Sequence, residues 1–93
     1  MTERPTAVLA AKLADLSQRF ANRAADERAA IEQALAVNDR TAITRRAHAL
    51  AGNAGMFGYP DIGAAALELE EAAESGSELQ PAAVRLLQLL SAL

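Results

Sequence analysis

The sequence contains no cysteine and only one histidine, His48. Without thiol groups the chain can form no disulfide, no thiolate nucleophile and no cysteine-bound zinc site, and one histidine cannot build a histidine-rich metal site. We therefore expect neither a bound metal nor a cofactor.

Long apolar runs are also missing. No stretch approaches the ~20 residues that span a bilayer, and residues 1–5 lack the apolar core of a signal peptide. These two absences predict a cytoplasmic protein with no membrane partner.

Basic residues do not outnumber acidic ones. The chain has nine lysine and arginine residues, twelve aspartate and glutamate residues and a formal net charge of −3, with a pI of about 5.0. A protein that binds nucleic acid needs a concentration of basic side chains to neutralise phosphates. We therefore do not expect nucleic acid as a partner.

Aromatic residues make up only 3% of the chain, and apolar residues do not alternate with period two, so a β-sheet is not expected. Alanine, the strongest helix former, supplies 24 of the 93 residues. The length suits one small domain. We predict a single all-α domain over residues 1–93. Because the connections are short, we expect it to be an antiparallel up-and-down four-helix bundle.

The first predicted helix begins at Pro5 or Thr6 and continues to residues 37–39, where Asp39 can cap the next helix. Its apolar residues recur at steps of three, four and seven and are expected to form one buried stripe: Val8 or Leu9, Leu13, Leu16, Phe20, Ala24, Ile31 and Leu35. The polar residues 22–28 predict a kink, or a break between a short first helix and a longer second one.

Three further helices are predicted. One runs from Arg40 to Ala54 or slightly beyond, with Gly58 as a left-handed stop, and the next opens at Pro60 or Asp61 and breaks at residues 75–77. Residues 77–80 have the form of a capping box that starts the last helix. The expected core positions are Ile43, Ala47, Leu50 and Ala54, then Ile62, Ala65 or Ala66, Leu69 and Ala72 or Ala73, and finally Val84, Leu86 or Leu87, Leu90 and Leu93.

His48 points away from the centre of the core stripe of its helix. The residues within about 60° of it around the helix axis are small or polar: Thr41, Thr44, Arg45, Ala51, Gly52 and Gly55. Glycine inside a helix costs roughly 1 kcal/mol relative to alanine, so Gly52 and Gly55 require an explanation. Two explanations remain open, namely close approach of a partner protein and close packing of a neighbouring helix.

Imidazole can accept and release a phosphoryl group, and no other side chain here is as suited to that chemistry near neutral pH. His48 is therefore the candidate nucleophile. Glu70 lies one residue past core Leu69, as His48 lies one residue past core Ala47, and two such residues on adjacent antiparallel helices can meet. A Glu70 carboxylate that accepts the Nδ1–H hydrogen bond would set the tautomer and orientation of the ring.

The run His48-Ala49-Leu50-Ala51-Gly52, followed by Gly58 and by Leu69-Glu70, resembles the histidine-containing phosphotransfer (HPt) family. The resemblance implies that Nε2 of His48 carries a phosphoryl group from the receiver domain of a hybrid histidine kinase to the receiver of a response regulator. It also implies a phosphocarrier without catalytic turnover of its own, with Mg²⁺ only in the receiver. We expect a monomer.

One position departs from the family pattern. A lysine usually stands three residues after the histidine, and this chain has Ala51. Arg45, one turn before the histidine on the same face, is the candidate to hold the phosphate charge instead. The missing lysine leaves an alternative open, a non-catalytic pseudo-HPt adaptor that binds a receiver or kinase without being phosphorylated. The dimerising phosphoacceptor helices of a histidine kinase are disfavoured, because Ala49 stands where an acidic residue usually follows that histidine.

Overall fold

The computed structural model describes residues 5–93, and every regular element in that range is an α-helix. The all-α prediction is therefore confirmed, whereas the predicted single domain also includes residues 1–4, which lie outside the described range. The helices are α1 (Pro5–Asn22), α2 (Ala24–Ala36), α3 (Arg40–Met56), α4 (Pro60–Ser75) and α5 (Gln80–Ser91).

The described chain has five helices rather than the predicted four because the first predicted helix is divided at Arg23. The backbone of Arg23 has φ −94° and ψ −1°, which departs from ideal helical geometry. The break falls within residues 22–28, as predicted. The expected lengths were wrong, however, since α1 has 18 residues and α2 has 13.

Helices α2 to α5 enclose the core. Helix α2 contacts both α3 and α5, α3 contacts α4, and α4 contacts α5, so the four helices close a ring. The predicted core positions of α3 are buried, and α4 buries Ile62, Ala65, Ala66, Leu69 and Ala73. The antiparallel direction of the four helices stays a prediction.

Helices α3 and α4 approach each other closely at Gly63, a residue that the sequence pattern did not single out. A Cβ atom at Gly63 would lie 3.4 Å from the backbone nitrogen of Gly55 and 3.5 Å from the carbonyl oxygen of Ala51. The absence of a side chain at this position therefore brings the two helix backbones into near contact. This approach sets the distance between side chains on the two helices.

The predicted buried stripe is wrong for the first half of α1. Leu9, Leu13 and Leu16 are 58%, 41% and 40% exposed. The helix is attached to the bundle only further along, where the Ser17 hydroxyl donates to the carbonyl oxygen of Phe57 at 2.6 Å. Phe20 stacks on Tyr59, with 5.2 Å between ring centroids. The regular spacing of the leucines correctly indicated a helix but could not show what lies opposite it.

The start of the last helix also differs from the prediction. Helix α5 begins at Gln80, its N-cap residue Leu79 makes no side-chain capping bond, and the Ser77 hydroxyl instead pairs with that of Ser75 at 2.7 Å. The capping box was therefore wrong. The core positions of α5 are Ala83, Leu86 and Leu90, while the predicted positions Val84 and Leu93 are 46% and 45% exposed.

The ends of α3 agree with the sequence. The side chain of Asp39 accepts a hydrogen bond from the backbone N–H of Ala42 at 3.1 Å, which caps the start of the helix. Gly58 has φ +93° in the turn after the helix, a conformation that glycine adopts without strain. Pro60 opens α4, as predicted. Gly58 and Pro60 thus mark the short turn that connects α3 to α4.

Candidate functional site

Helices α3 and α4 bring His48 and Glu70 into direct contact. The Nδ1 atom of His48 lies 2.6 Å from the Oε2 atom of Glu70, although the two residues are separated by 22 positions in the sequence. Each follows a fully buried residue of its own helix, Ala47 in α3 and Leu69 in α4. The close packing of these two helices is what places the imidazole and the carboxylate within hydrogen-bond distance.

The contact determines where the proton of the neutral ring resides. An ionised carboxylate can only accept hydrogen bonds, so His48 must donate through Nδ1–H. A neutral imidazole carries one hydrogen, and Nε2 then keeps its lone pair. The arrangement therefore leaves Nε2 as the nucleophilic nitrogen and fixes the orientation of the ring.

The two partners differ sharply in exposure. The side chain of His48 is 77% exposed, whereas that of Glu70 is 12% exposed. The Glu70 side chain is thus largely enclosed, whereas most of the His48 side chain is exposed to solvent. A second protein can reach Nε2 without any rearrangement of the bundle.

Two shallow surfaces flank His48, and both include His48 and Glu70 themselves. We call the first the charged groove, and its other lining residues are Arg40, Thr41, Thr44, Arg45, Ala73 and Glu74. We call the second the small-residue surface, and its other lining residues are Ala51, Gly52, Gly55, Pro60, Gly63, Ala64 and Leu67. The imidazole therefore stands between a polar side and a flat apolar side.

The space around Gly52 and Gly55 bears on the two explanations for these glycines. A Cβ atom added at either position would meet no atom within 4 Å apart from those of the neighbouring residues and backbone of its own helix. Packing against a neighbouring helix therefore does not require glycine at these positions. Without side chains here, the surface beside His48 is flat.

Arg45 lies in the charged groove, one turn before His48 and exposed to solvent. It forms no ion pair or side-chain hydrogen bond with any residue in the range 5–93. Among the described residues, nothing therefore competes with an anion on the ring for the guanidinium group of Arg45. Ala51, at the position where the family pattern has lysine, is half-buried and offers no charge.

Arg40 has a structural role that the sequence pattern did not indicate. Its guanidinium group donates to the carbonyl oxygens of Ala72 and Ala73 at 3.4 Å each, and to that of Ser77 at 3.0 Å. These contacts satisfy carbonyl groups at the end of α4, one turn beyond Glu70. The interaction joins residues more than 30 positions apart, so no local sequence signal could have revealed it.

Met56 and Phe57 separate into two roles at the end of α3. Met56 is 67% exposed, beside the turn that leads to the small-residue surface. Phe57 is half-buried and packs against Phe20, with 6.2 Å between ring centroids. Phe57 therefore belongs to the packing of α1, while Met56 is available to a partner.

The described part of the chain contains no group of three or more His, Cys, Asp or Glu side chains arranged to hold a metal ion. Among its helices, none combines the length and apolar character needed to cross a membrane.

Replacement of Gly52 by alanine is expected to raise the free energy of unfolding by up to ~1 kcal/mol, because alanine stabilises a helix and nothing obstructs its methyl group. Urea denaturation of the two proteins measures the change. Gly58→Ala is the matched control and should be destabilising, because Gly58 has φ +93°. Loss of stability in Gly52→Ala would restore the packing explanation.

One of three comparisons with known proteins identifies a family for this chain. The family model for the Hpt domain matches residues 15–93. No curated protein and no solved structure gave a significant match. The matched range includes α2 to α5 and the contact between His48 and Glu70. The chain belongs to the Hpt domain family, the phosphocarrier domains of two-component signalling.

Proposed function

We propose that this chain relays a phosphoryl group between receiver-domain aspartates through phospho-His48. The observation that carries the proposal is an exposed imidazole whose Nδ1 atom is held at 2.6 Å by Glu70. The donor is the receiver of a hybrid histidine kinase and the acceptor is the receiver of a response regulator. The carrier acts as a monomer in the cytoplasm.

The transfer step uses the lone pair of Nε2. This nitrogen attacks the phosphorus atom of the aspartyl phosphate in line with the leaving oxygen, and the P–O bond to the aspartate breaks. The aspartate departs as a carboxylate with the bonding electron pair, and a P–N bond forms. The second receiver reverses these events when its aspartate attacks the phosphohistidine. Mg²⁺ and the acidic residues that bind it belong to the receivers.

Glu70 contributes in both stages of this cycle. Before transfer it holds Nδ1–H and directs Nε2 outward. When the P–N bond forms, the ring gains positive charge while Nδ1 keeps its proton, and the adjacent carboxylate offsets that charge. Its low exposure, 12% of the side chain, favours this role because a partly desolvated carboxylate interacts more strongly with a nearby cation.

The chain itself positions the imidazole of His48 and does not phosphorylate it with a nucleotide. It has no glycine-rich phosphate-binding loop between a strand and a helix, so we expect neither ATP binding nor autophosphorylation. We therefore assign it carrier chemistry without independent turnover.

A second candidate function is a pseudo-HPt adaptor that binds a receiver or kinase without accepting phosphate. Ala51 favours it, because a half-buried methyl group stands where the family pattern has a lysine. Arg45 counts against it, since a cation with no partner in the described residues lies in the groove beside the ring.

Incubation with a phosphorylated receiver distinguishes the two functions. The relay predicts acid-labile label on this chain and its loss in His48→Gln, which retains a polar side chain but cannot be phosphorylated. Circular dichroism of both proteins serves as the folding control. Receiver binding without any transfer of label would favour the adaptor and overturn the relay.

Variants of Glu70 test its contact with the ring. Glu70→Ala removes the acceptor and should slow transfer by roughly tenfold, the equivalent of ~1.4 kcal/mol for a charge-assisted hydrogen bond. Glu70→Gln retains an oxygen acceptor but not the charge, so its transfer rate should lie between those of the unmodified protein and Glu70→Ala. Initial rates from a phosphorylated receiver provide the measurement, and equal rates in all three proteins would contradict the role.

Arg45→Ala tests the proposed substitute for the missing lysine. Loss of an exposed cation near the phosphate should reduce the transfer rate or the phosphohistidine lifetime by about two- to fivefold. Arg85→Ala is the matched control, because Arg85 is also exposed and pairs with Glu68, 2.9 Å away on the α4–α5 side. Identical kinetics in Arg45→Ala and the unmodified protein would remove Arg45 from the mechanism.

A further inference from the structure

The first half of α1 carries an apolar stripe that no residue in the described range covers. Leu9, Leu13 and Leu16 are 58%, 41% and 40% exposed, and their spacing places them on one helix face, which Phe20 continues. An amphipathic helix in a protein gains its stability mainly from burial of its apolar face. An occupant of this stripe would supply that burial.

Near the bundle the stripe forms one wall of a groove. Leu16 and Phe20 line the wall on α1, and Ala49 and Asn53 line the wall on α3. No residue that lines this groove also lines the charged groove or the small-residue surface. Ala49 and Asn53 lie about 100° and 140° around α3 from His48, so an occupant of the groove leaves the imidazole accessible.

A row of cations borders the apolar stripe. Lys12, Arg19 and Arg23 follow one another at steps of seven and four, which places them along one edge of the helix face. Lys12 and Arg23 form no ion pair with any residue in the range 5–93, and Arg19 pairs with Asp15, an exposed neighbour on its own helix, at 3.0 Å. Among the described residues, Lys12 and Arg23 are therefore available to negatively charged side chains, while the exposed pair of Arg19 and Asp15 can exchange partners.

The acidic side chain that lines the groove does not oppose this charge. The Oε2 atom of Glu27 lies 3.5 Å from Nη1 of Arg46, which offsets its charge. The net character of the groove is apolar along its floor and basic along one edge.

We propose that this groove docks an amphipathic α-helix of a partner protein, with an apolar face that covers the stripe and an acidic edge that meets Lys12, Arg19 and Arg23. The concave shape fits a helix better than a flat bilayer. A second copy of the chain lacks a complementary edge, because the opposite flank of its stripe carries Ala10 and Ser17. The partner tethers the carrier while His48 exchanges phosphate on a separate surface.

A pair of synthetic peptides tests the docking directly. The first is a stapled 18-residue helix with leucines on one face and glutamates along one edge, and the second has lysines in place of the glutamates. Titration into the ¹⁵N-labelled full chain, followed by NMR, should shift the amide signals of Arg19, Arg23, Ala49 and Asn53 with the acidic peptide. The signals of Gly52 and Gly55 should stay in place.

Two charge reversals provide matched variants. Arg23→Glu lies on the groove and should weaken binding of the acidic peptide by roughly three- to tenfold, whereas Arg85→Glu lies outside it and should change the affinity by less than about twofold. Circular dichroism confirms that both variants remain helical.

Several outcomes would overturn the proposal. Equal affinity for the two peptides would contradict the requirement for an acidic edge on the partner helix. Shifts of the Gly52 and Gly55 signals would place the docking site beside His48 instead. Sedimentation showing a dimer that Leu13→Gln dissociates would assign the stripe to a second copy. Co-sedimentation of the protein with phosphatidylglycerol vesicles, abolished by the same variant, would assign it to a membrane surface.

Discussion

The close approach of α3 and α4 is the constraint on which the site depends. A Cβ atom at Gly63 would meet the backbone of α3 at 3.4 and 3.5 Å, so the two helices are nearly in backbone contact there. Small buried residues, among them Ala47, Ala54, Ala65 and Ala66, maintain this packing along both helices. Helices this close bring an imidazole on one and a carboxylate on the other to 2.6 Å. Larger side chains between them would separate His48 from Glu70.

Small residues have different effects in the core and at the surface. Alanine inside the bundle buries little apolar area per residue, so the core relies on a few large fully buried side chains: Ile31, Ile43, Leu69 and Leu86. At the exposed positions Gly52 and Gly55 of α3, an added methyl group would meet nothing outside its own helix. Glycine in place of alanine at these two positions therefore lowers helix stability on the surface beside His48.

The site was more predictable from the sequence than the periphery of the fold. Periodicity in α3 and α4 was sufficient to identify Ala47 and Leu69 as core, and the residue after each then had to lie at the edge of the helix contact. The exposed stripe of α1 could not be predicted, because a repeat of leucines specifies a helix face but not its neighbour. Arg40 was missed for a related reason, since its partners at the end of α4 are distant in sequence. In α5 the apolar pattern did not distinguish the buried Leu86 from its partly buried neighbour Leu87 or from the exposed Val84, because all three are apolar.

The central claim is that Glu70 holds Nδ1 of His48 and leaves Nε2 to accept the phosphoryl group. Heteronuclear NMR of the ¹⁵N-labelled, phosphorylated protein tests it directly, because coupling to phosphorus identifies the substituted nitrogen of the ring. The account predicts phosphorus on Nε2, with Nδ1 still carrying its proton. Phosphorus on Nδ1, the atom that now lies 2.6 Å from the Glu70 carboxylate, would contradict it.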